Sequence, residues 1–129
     1  MTLNGSLRSS STGLFAERTR MDTISANIAN ANSIKSPTQD AYRKHMVILT
    51  GGEDGVKVAK IIQDNGPLRA VPEPDHPFAD ANGMVYYSNV DPITEMVNLM
   101  SATRSYEANI QAFNSSKKMI SSALSIGRI

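Results

Sequence analysis

The chain has 129 residues and a net charge of +1, contains no cysteine and no tryptophan, and carries only three phenylalanines and four tyrosines. This composition excludes disulfides, thiolate metal sites and cysteine nucleophiles, and it leaves few large side chains for a globular core. No segment is basic enough to predict binding to nucleic acid, and no run of about 18 apolar residues predicts a membrane span.

The first segment, residues 1–36, has apolar residues at heptad spacing but a composition that disfavours an isolated helix. The row consists of Leu3, Leu7, Leu14, Met21, Ile24, Ile28 and Ala31. Its spacing predicts one helix over residues 3–33. Two glycines and many Ser, Thr and Asn residues weaken this helix, because each polar residue costs roughly 0.5 kcal/mol and each glycine about 1 kcal/mol relative to alanine. We therefore expect the helix to form mainly when a neighbour covers its apolar row.

The middle segment, residues 37–90, contains five prolines, which exclude a long helix. Residues 42–49 and 56–62 are rich in β-formers and predict a β-hairpin, and the turn-prone residues 50–55 predict a loop longer than two residues. Residues 68–71 and 84–87 predict two further short strands on either side of an extended loop.

The last segment, residues 91–129, has the strongest helix signal in the chain. Asp91 is a favoured N-cap, Pro92 is favoured at the first helical position, and no other proline or glycine occurs before Gly127. These signals predict a helix of about 35 residues, roughly 52 Å long. Its heptad row consists of Met96, Leu99, Thr103, Tyr106, Ile110, Phe113, Lys117, Ile120 and Leu124. Gaps that alternate between three and four residues are typical of a coiled-coil seam.

The three segments together predict an α+β fold. Long N- and C-terminal helices pack as a coiled-coil-like bundle, with a small β-hairpin and loop region between them. Helices at opposite ends of a short chain must cover each other or neighbouring molecules, so the pattern indicates self-assembly. The predicted assembly interface combines members of both apolar rows with two asparagines that would fix subunit register. It consists of Leu7, Leu14, Met21, Ile24, Asn27, Ile28, Asn30, Met96, Leu99, Tyr106, Ile110, Phe113, Ile120 and Leu124.

Neither histidine lies in a pattern typical of catalysis or metal binding. A zinc site needs three or four ligands, whereas His45 lies in a predicted strand and His76 lies in a loop with Asp75 and Asp80. No phosphate-binding glycine loop and no nucleophile elbow occurs. We therefore expect no enzymatic activity and no cofactor, and a small enzyme built on the three loop residues is the least favoured alternative.

Several blocks of the chain resemble the bacterial flagellar rod and hook proteins. The stretch ISANIANAN at 24–32 is similar to the N-terminal signature of that family. The stretch NVDPITEMVNLMSATRSYEANIQAFNSSKKMISSAL, which starts at Asn89, is similar to its C-terminal block. The middle stretches GVKVAKI and PEPDHPFADANGMVYYSNVD resemble members from the proximal rod. The sequence departs from the family at residues 36–41, SPTQDA, where a more glycine-rich linker is expected.

The resemblance implies a structural subunit of the proximal rod, the drive-shaft segment that transmits torque to the hook. It implies terminal helices packed into a tube with other rod proteins and further copies of the chain, near the base of the membrane ring in the periplasmic space. It also implies passage through the flagellar type III export apparatus without a cleaved signal peptide. The alternative is a soluble, export-linked adaptor or chaperone-like helical module that is folded alone.

We expect the dilute chain to show low helicity and to gain helicity on assembly, because the N-terminal helix is weak while its apolar row is uncovered. Circular dichroism over a concentration series, combined with size exclusion and light scattering, measures both quantities. A cooperative, fully helical monomer at micromolar concentration would contradict the assembly hypothesis. A stable monomer that captures one partner at fixed stoichiometry would favour the adaptor.

Overall fold

The computed structural model describes residues 2–128 and contains two long helices and two small antiparallel sheets. In chain order the elements are α1 (Leu3–Ala29), β1 (His45–Gly52), β2 (Gly55–Gln63), β3 (Arg69–Pro72), β4 (Met84–Tyr87) and α2 (Pro92–Ile126). The predicted α+β class with long terminal helices and a small central β region is confirmed. No helix within the described residues is both long and apolar enough to cross a membrane.

Helix α1 ends four residues earlier than its heptad row predicts. It begins after Thr2, whose hydroxyl accepts a hydrogen bond from the Gly5 backbone N–H at 3.0 Å. It ends at Ala29, where the Asn30 side-chain amide donates to the Ala26 carbonyl at 2.8 Å. The predicted continuation to residue 33 is wrong because asparagine side chains compete with the helix for backbone groups and favour turns.

Helix α2 has the predicted N-terminal cap. The Asp91 carboxylate accepts hydrogen bonds from the Thr94 hydroxyl at 2.7 Å and from the Ile93 backbone N–H at 3.1 Å. These bonds favour the ionised carboxylate and lower the pKa of Asp91, with the Thr94 hydroxyl as the largest cause. With 35 residues against 27, α2 is longer than α1 by about 12 Å at 1.5 Å per residue.

The β1–β2 hairpin has a tighter turn than predicted. Gly52 pairs with Gly55, so Glu53 and Asp54 form a two-residue turn, and the predicted loop of more than two residues is wrong. The turn is tight because Gly55 adopts a φ of 111°, a region open to glycine and closed to most other residues. The strands therefore continue through the glycines that the sequence pattern assigned to the loop.

The second sheet, β3–β4, lies at the end of the helix pair where α1 ends and α2 begins. The Lys35 backbone N–H donates to the Tyr86 carbonyl at 2.8 Å, and the Ser88 backbone N–H donates to the Ser33 carbonyl at 2.9 Å. These bonds tie β4 to the linker that follows α1. The small core at this end includes Ala31, Ala41, Val85 and Val90.

We expect Gly55→Ala to destabilise the fold by about 1–3 kcal/mol, because a Cβ would overlap the Thr12 hydroxyl and strain a left-handed backbone. Gly51→Ala is the matched control. It has no atom within 4 Å of the new methyl group, so its unfolding free energy changes by less than about 0.5 kcal/mol. Urea unfolding followed by circular dichroism measures both, and equal stability of the two variants would contradict this account of the turn.

Candidate assembly interface

The two helices pack antiparallel along a seam of small and polar side chains. Near the start of α1, the Ser6 hydroxyl lies 2.9 Å from the Ser116 hydroxyl near the end of α2. Seven residues further along α1, Gly13 faces Asn109, and a Cβ on this glycine would lie 2.9 Å from the asparagine Oδ1. Because the contacts recur in steps of seven, one face of each helix turns toward the other along their shared length.

At the far end of the seam, the buried amide of Asn27 joins both helices and the hairpin. Its Nδ2 donates to Glu95 Oε2 at 3.0 Å and to the His45 carbonyl at 2.9 Å. Its Oδ1 accepts from the Tyr42 hydroxyl at 2.9 Å and from the His45 backbone N–H at 3.0 Å. These bonds use both donors and both lone pairs of the amide.

The carboxylate of Glu95 is only 1 % exposed and is also paired. Lys44 Nζ lies 3.1 Å from its Oε1, so the buried negative charge has a cationic partner as well as the Asn27 amide. Burial, and secondarily the nearby Glu95 carboxylate, raise the pKa of Tyr42 and keep its hydroxyl protonated as a donor to Asn27. The cluster is thus charge-compensated where helices and hairpin meet.

The three contacts just described join residues outside the predicted apolar rows. Each residue in these contacts immediately precedes a member of a predicted apolar row. The seam residues are Ser6, Gly13, Asn27, Glu95, Asn109 and Ser116, and the residues that follow them are Leu7, Leu14, Ile28, Met96, Ile110 and Lys117. One residue corresponds to about 100° of helix rotation. Because the helices run in opposite directions, this step turns both rows toward the same side of the seam.

The two rows therefore lie on one surface, which we call the flank face. It consists of Leu7, Leu14, Met21, Ile24, Ile28, Met96, Leu99, Tyr106, Ile110, Phe113 and Ile120. Ile24 is buried beside the seam, most of the others are half-buried, and Met96 is 52 % exposed. Among the described helices and strands α2 packs only against α1, whereas Ile24 also lines a cavity with Met46 and Val47 of β1.

Three predicted interface residues lie outside the flank face. Leu124 is 69 % exposed on the last turns of α2, beyond the level at which α1 begins. Asn30 is exposed at the end of α1. Asn27 lies inside the molecule, where it sets the register between the helices of one chain. The role of these residues between subunits stays a prediction.

The β1–β2 hairpin packs on the opposite side of α1 from the flank face. The Val56 backbone N–H donates to the Thr12 hydroxyl at 3.1 Å, and Thr12 immediately precedes the seam residue Gly13. The flank residue Leu14 follows that glycine, so hairpin and flank lie on either side of the seam. The heptad rows do not predict the groove between α1 and β2. The available signal in the sequence is Phe15, an aromatic residue outside the heptad row.

Asp80 and His76, in the loop between β3 and β4, accept hydrogen bonds that stabilise the turns of that loop. The Asp80 carboxylate accepts hydrogen bonds from the Met84 and Asn82 backbone N–H groups and from the Tyr86 hydroxyl. These bonds, with that of Met84 the largest, lower the pKa of Asp80. His76 Nδ1 accepts from the Phe78 backbone N–H at 3.0 Å. Within residues 2–128 no three His, Asp or Glu side chains converge on a metal-sized site.

The chain is similar to flagellar rod proteins along almost its whole length. Residues 7–33 match a family model described as flagella basal body rod protein, and residues 81–126 match one described as flagellar basal body rod FlgEFG protein C-terminal. The flagellar basal-body rod protein FlgC of Bacillus subtilis is 40 % identical over 150 aligned positions, which cover 99 % of this chain and 100 % of that protein.

Two further relatives are also FlgC proteins. The Salmonella typhimurium protein is 41 % identical over 121 positions, covering 89 % of this chain and 90 % of its own length. The Borreliella burgdorferi protein is 38 % identical over 149 positions, covering 98 % of each. The similarity therefore extends through both helices and the β region.

We expect Asn27→Ala to lower the unfolding free energy by about 2–4 kcal/mol, because it leaves the Glu95 carboxylate and the His45 backbone N–H short of partners inside the fold. Asn30→Ala is the control: it loses one exposed hydrogen bond, and the expected change is below about 0.5 kcal/mol. Denaturant unfolding of the two variants measures the difference, and equal midpoints would show that the buried cluster does not stabilise the fold.

Proposed function

The chain belongs to the FlgC family of flagellar basal-body rod proteins and is a structural subunit of that rod, and we propose that it assembles there through its flank face. One observation carries the proposal. The contacts that the structure shows across the intramolecular seam join small and polar side chains, while Met96 and Ile110 of the α2 row are 52 % and 37 % exposed. If the helices served only to hold one another, burial of the apolar rows between them would be more stable.

The flank face fits a helical partner. Its rows run the length of the helix pair at a spacing that accepts knobs from a facing helix. Met96 and Ile110 of this face are 52 % and 37 % exposed on the single chain, and exposed apolar side chains that share a face are typical of a protein–protein contact. We therefore propose that the terminal helices of neighbouring rod subunits, either copies of this chain or other rod proteins, cover the flank face in a helical tube.

The export route, the position within the rod and the transmission of torque are also part of the proposal. We infer that the chain passes through the flagellar type III export apparatus, joins the proximal rod near the base of the membrane ring, and transmits torque. The low helix propensity of α1 and the small side chains of the core near β4 support export, because such a fold is marginal and readily unfolded. The hydrogen-bonded Asn27 cluster supports torque transmission, because it connects the helix pair firmly to the hairpin.

We expect Ile110→Asp to abolish rod incorporation and swimming, because assembly would bury an unpaired carboxylate on the flank face. Ile110 is 37 % exposed in the single chain, so the new carboxylate can reach solvent before assembly. Gln111→Asp, one residue further on the exposed side of α2, is the matched control and swims normally. Soft-agar motility and immunoblots of purified basal bodies measure the outcome, and circular dichroism verifies folding.

Normal swimming and normal rod content of the Ile110→Asp cells would overturn the assignment of the flank face. Equal loss in both variants would overturn it as well, because assembly would then not distinguish the flank from the outer side of α2.

A further inference from the structure

We propose that the flank face of one copy of this chain docks against the hairpin side of a second copy. This inference rests on the proposed function, since it names the partner of the flank face. The receiving surface is the groove between α1 and β2, which we call the hairpin groove. It has a volume of about 370 Å³ and is lined by Ser11, Thr12, Phe15, Val56, Lys57 and Val58.

The hairpin groove is an apolar surface that the single chain leaves open. Phe15 is 67 % exposed although it is the largest side chain of α1, and Ile61 further along β2 is 49 % exposed. Two valines of β2 form the opposite wall. Exposed aromatic and aliphatic side chains around a concave surface are typical of a contact site.

The placement of the two surfaces favours a contact that repeats. The hairpin packs against Thr12, one residue before the seam, whereas the flank residue Leu14 lies one residue after it. Each copy therefore presents the flank face on one side of the seam and the hairpin groove on the other. Two flank faces packed together would form a closed dimer and leave both grooves open, but flank against groove propagates from copy to copy as a filament requires.

The two surfaces also lie at the same level of the molecule. Asn109 faces Gly13 across the seam, so the flank residue Ile110 lies level with Thr12, which the Val56 backbone N–H contacts. Two copies side by side without axial displacement would bring Ile110 of one copy to the hairpin groove of the other. No bending of either copy is needed.

The charges of the two surfaces are complementary near the start of α1 and the end of α2. Lys117 follows the seam residue Ser116 on the flank side of α2, and no acidic residue occurs between Glu107 and the end of the chain. The hairpin turn near the same end carries Glu53 and Asp54. The Arg8 partner of Asp54 lies 3.5 Å away and both side chains are largely exposed, so a lysine of a second copy can reach the turn at little cost.

The absence of native cysteine allows a direct test with single-cysteine variants. Ile110→Cys and Phe15→Cys chains are produced together in motile cells, treated with a short bismaleimide, and analysed by immunoblot of purified basal bodies. We expect a covalent dimer at least tenfold more abundant than in cells with either variant alone. The control pair is Phe15→Cys with Gln111→Cys, since Gln111 is exposed and lies one residue after Ile110 on the side of α2 away from α1.

A second pair, Lys117→Cys with Asp54→Cys, tests the same contact at exposed positions that tolerate substitution if Ile110→Cys fails to enter the rod. Dimers from Ile110→Cys alone would show a flank-to-flank contact and overturn the inference. A cross-link from Phe15→Cys to a different rod protein would overturn the choice of a second copy. Absence of dimers while the variants are present in basal bodies would also overturn it, yet would leave assembly through the flank face standing.

Discussion

The fully used amide of Asn27 is the contact on which the arrangement of this molecule depends. It connects α1 to α2 through Glu95 and to the hairpin through His45, and the Asn27 and Glu95 side chains are each only 1 % exposed. A shift of either helix would leave a buried carboxylate or amide without a partner, which costs several times the net value of one hydrogen bond. We infer that such a cluster favours a single register of the two helices.

The register in turn decides which side chains remain available to neighbours. With Asn27 opposite Glu95, the small residues Gly13 and Ser6 fall into the seam, and the helices pack closely there. Most of the leucines, isoleucines and aromatic residues next to the seam are half-buried, while Met96 and Ile110 are 52 % and 37 % exposed. Polar contacts thus specify the single chain, and part of its apolar surface stays exposed.

Much of the fold follows from local signals in the sequence. Capping, proline geometry and β-propensity set the Asp91-Pro92 start of α2, the strands of the central hairpin and the position of β4. These effects act between residues close in the chain. The predicted element bounds were wrong where a single polar or glycine residue determines the local backbone conformation. Asn30 ended α1 early, and the φ of Gly55 allowed a two-residue turn.

The sequence by itself determined that both ends of the chain are helical and that each carries an apolar row at heptad spacing, because that periodicity is written in every third and fourth residue. Only the tertiary structure decided that the small and polar residues next to these rows make the contacts Ser6–Ser116, Gly13–Asn109 and Asn27–Glu95 across the seam. A heptad pattern defines an apolar stripe but cannot say whether that stripe or the small residues 100° away approach the partner helix most closely. That choice depends on contacts such as Asn27 with Glu95, between residues far apart in the chain, and no local pattern records them.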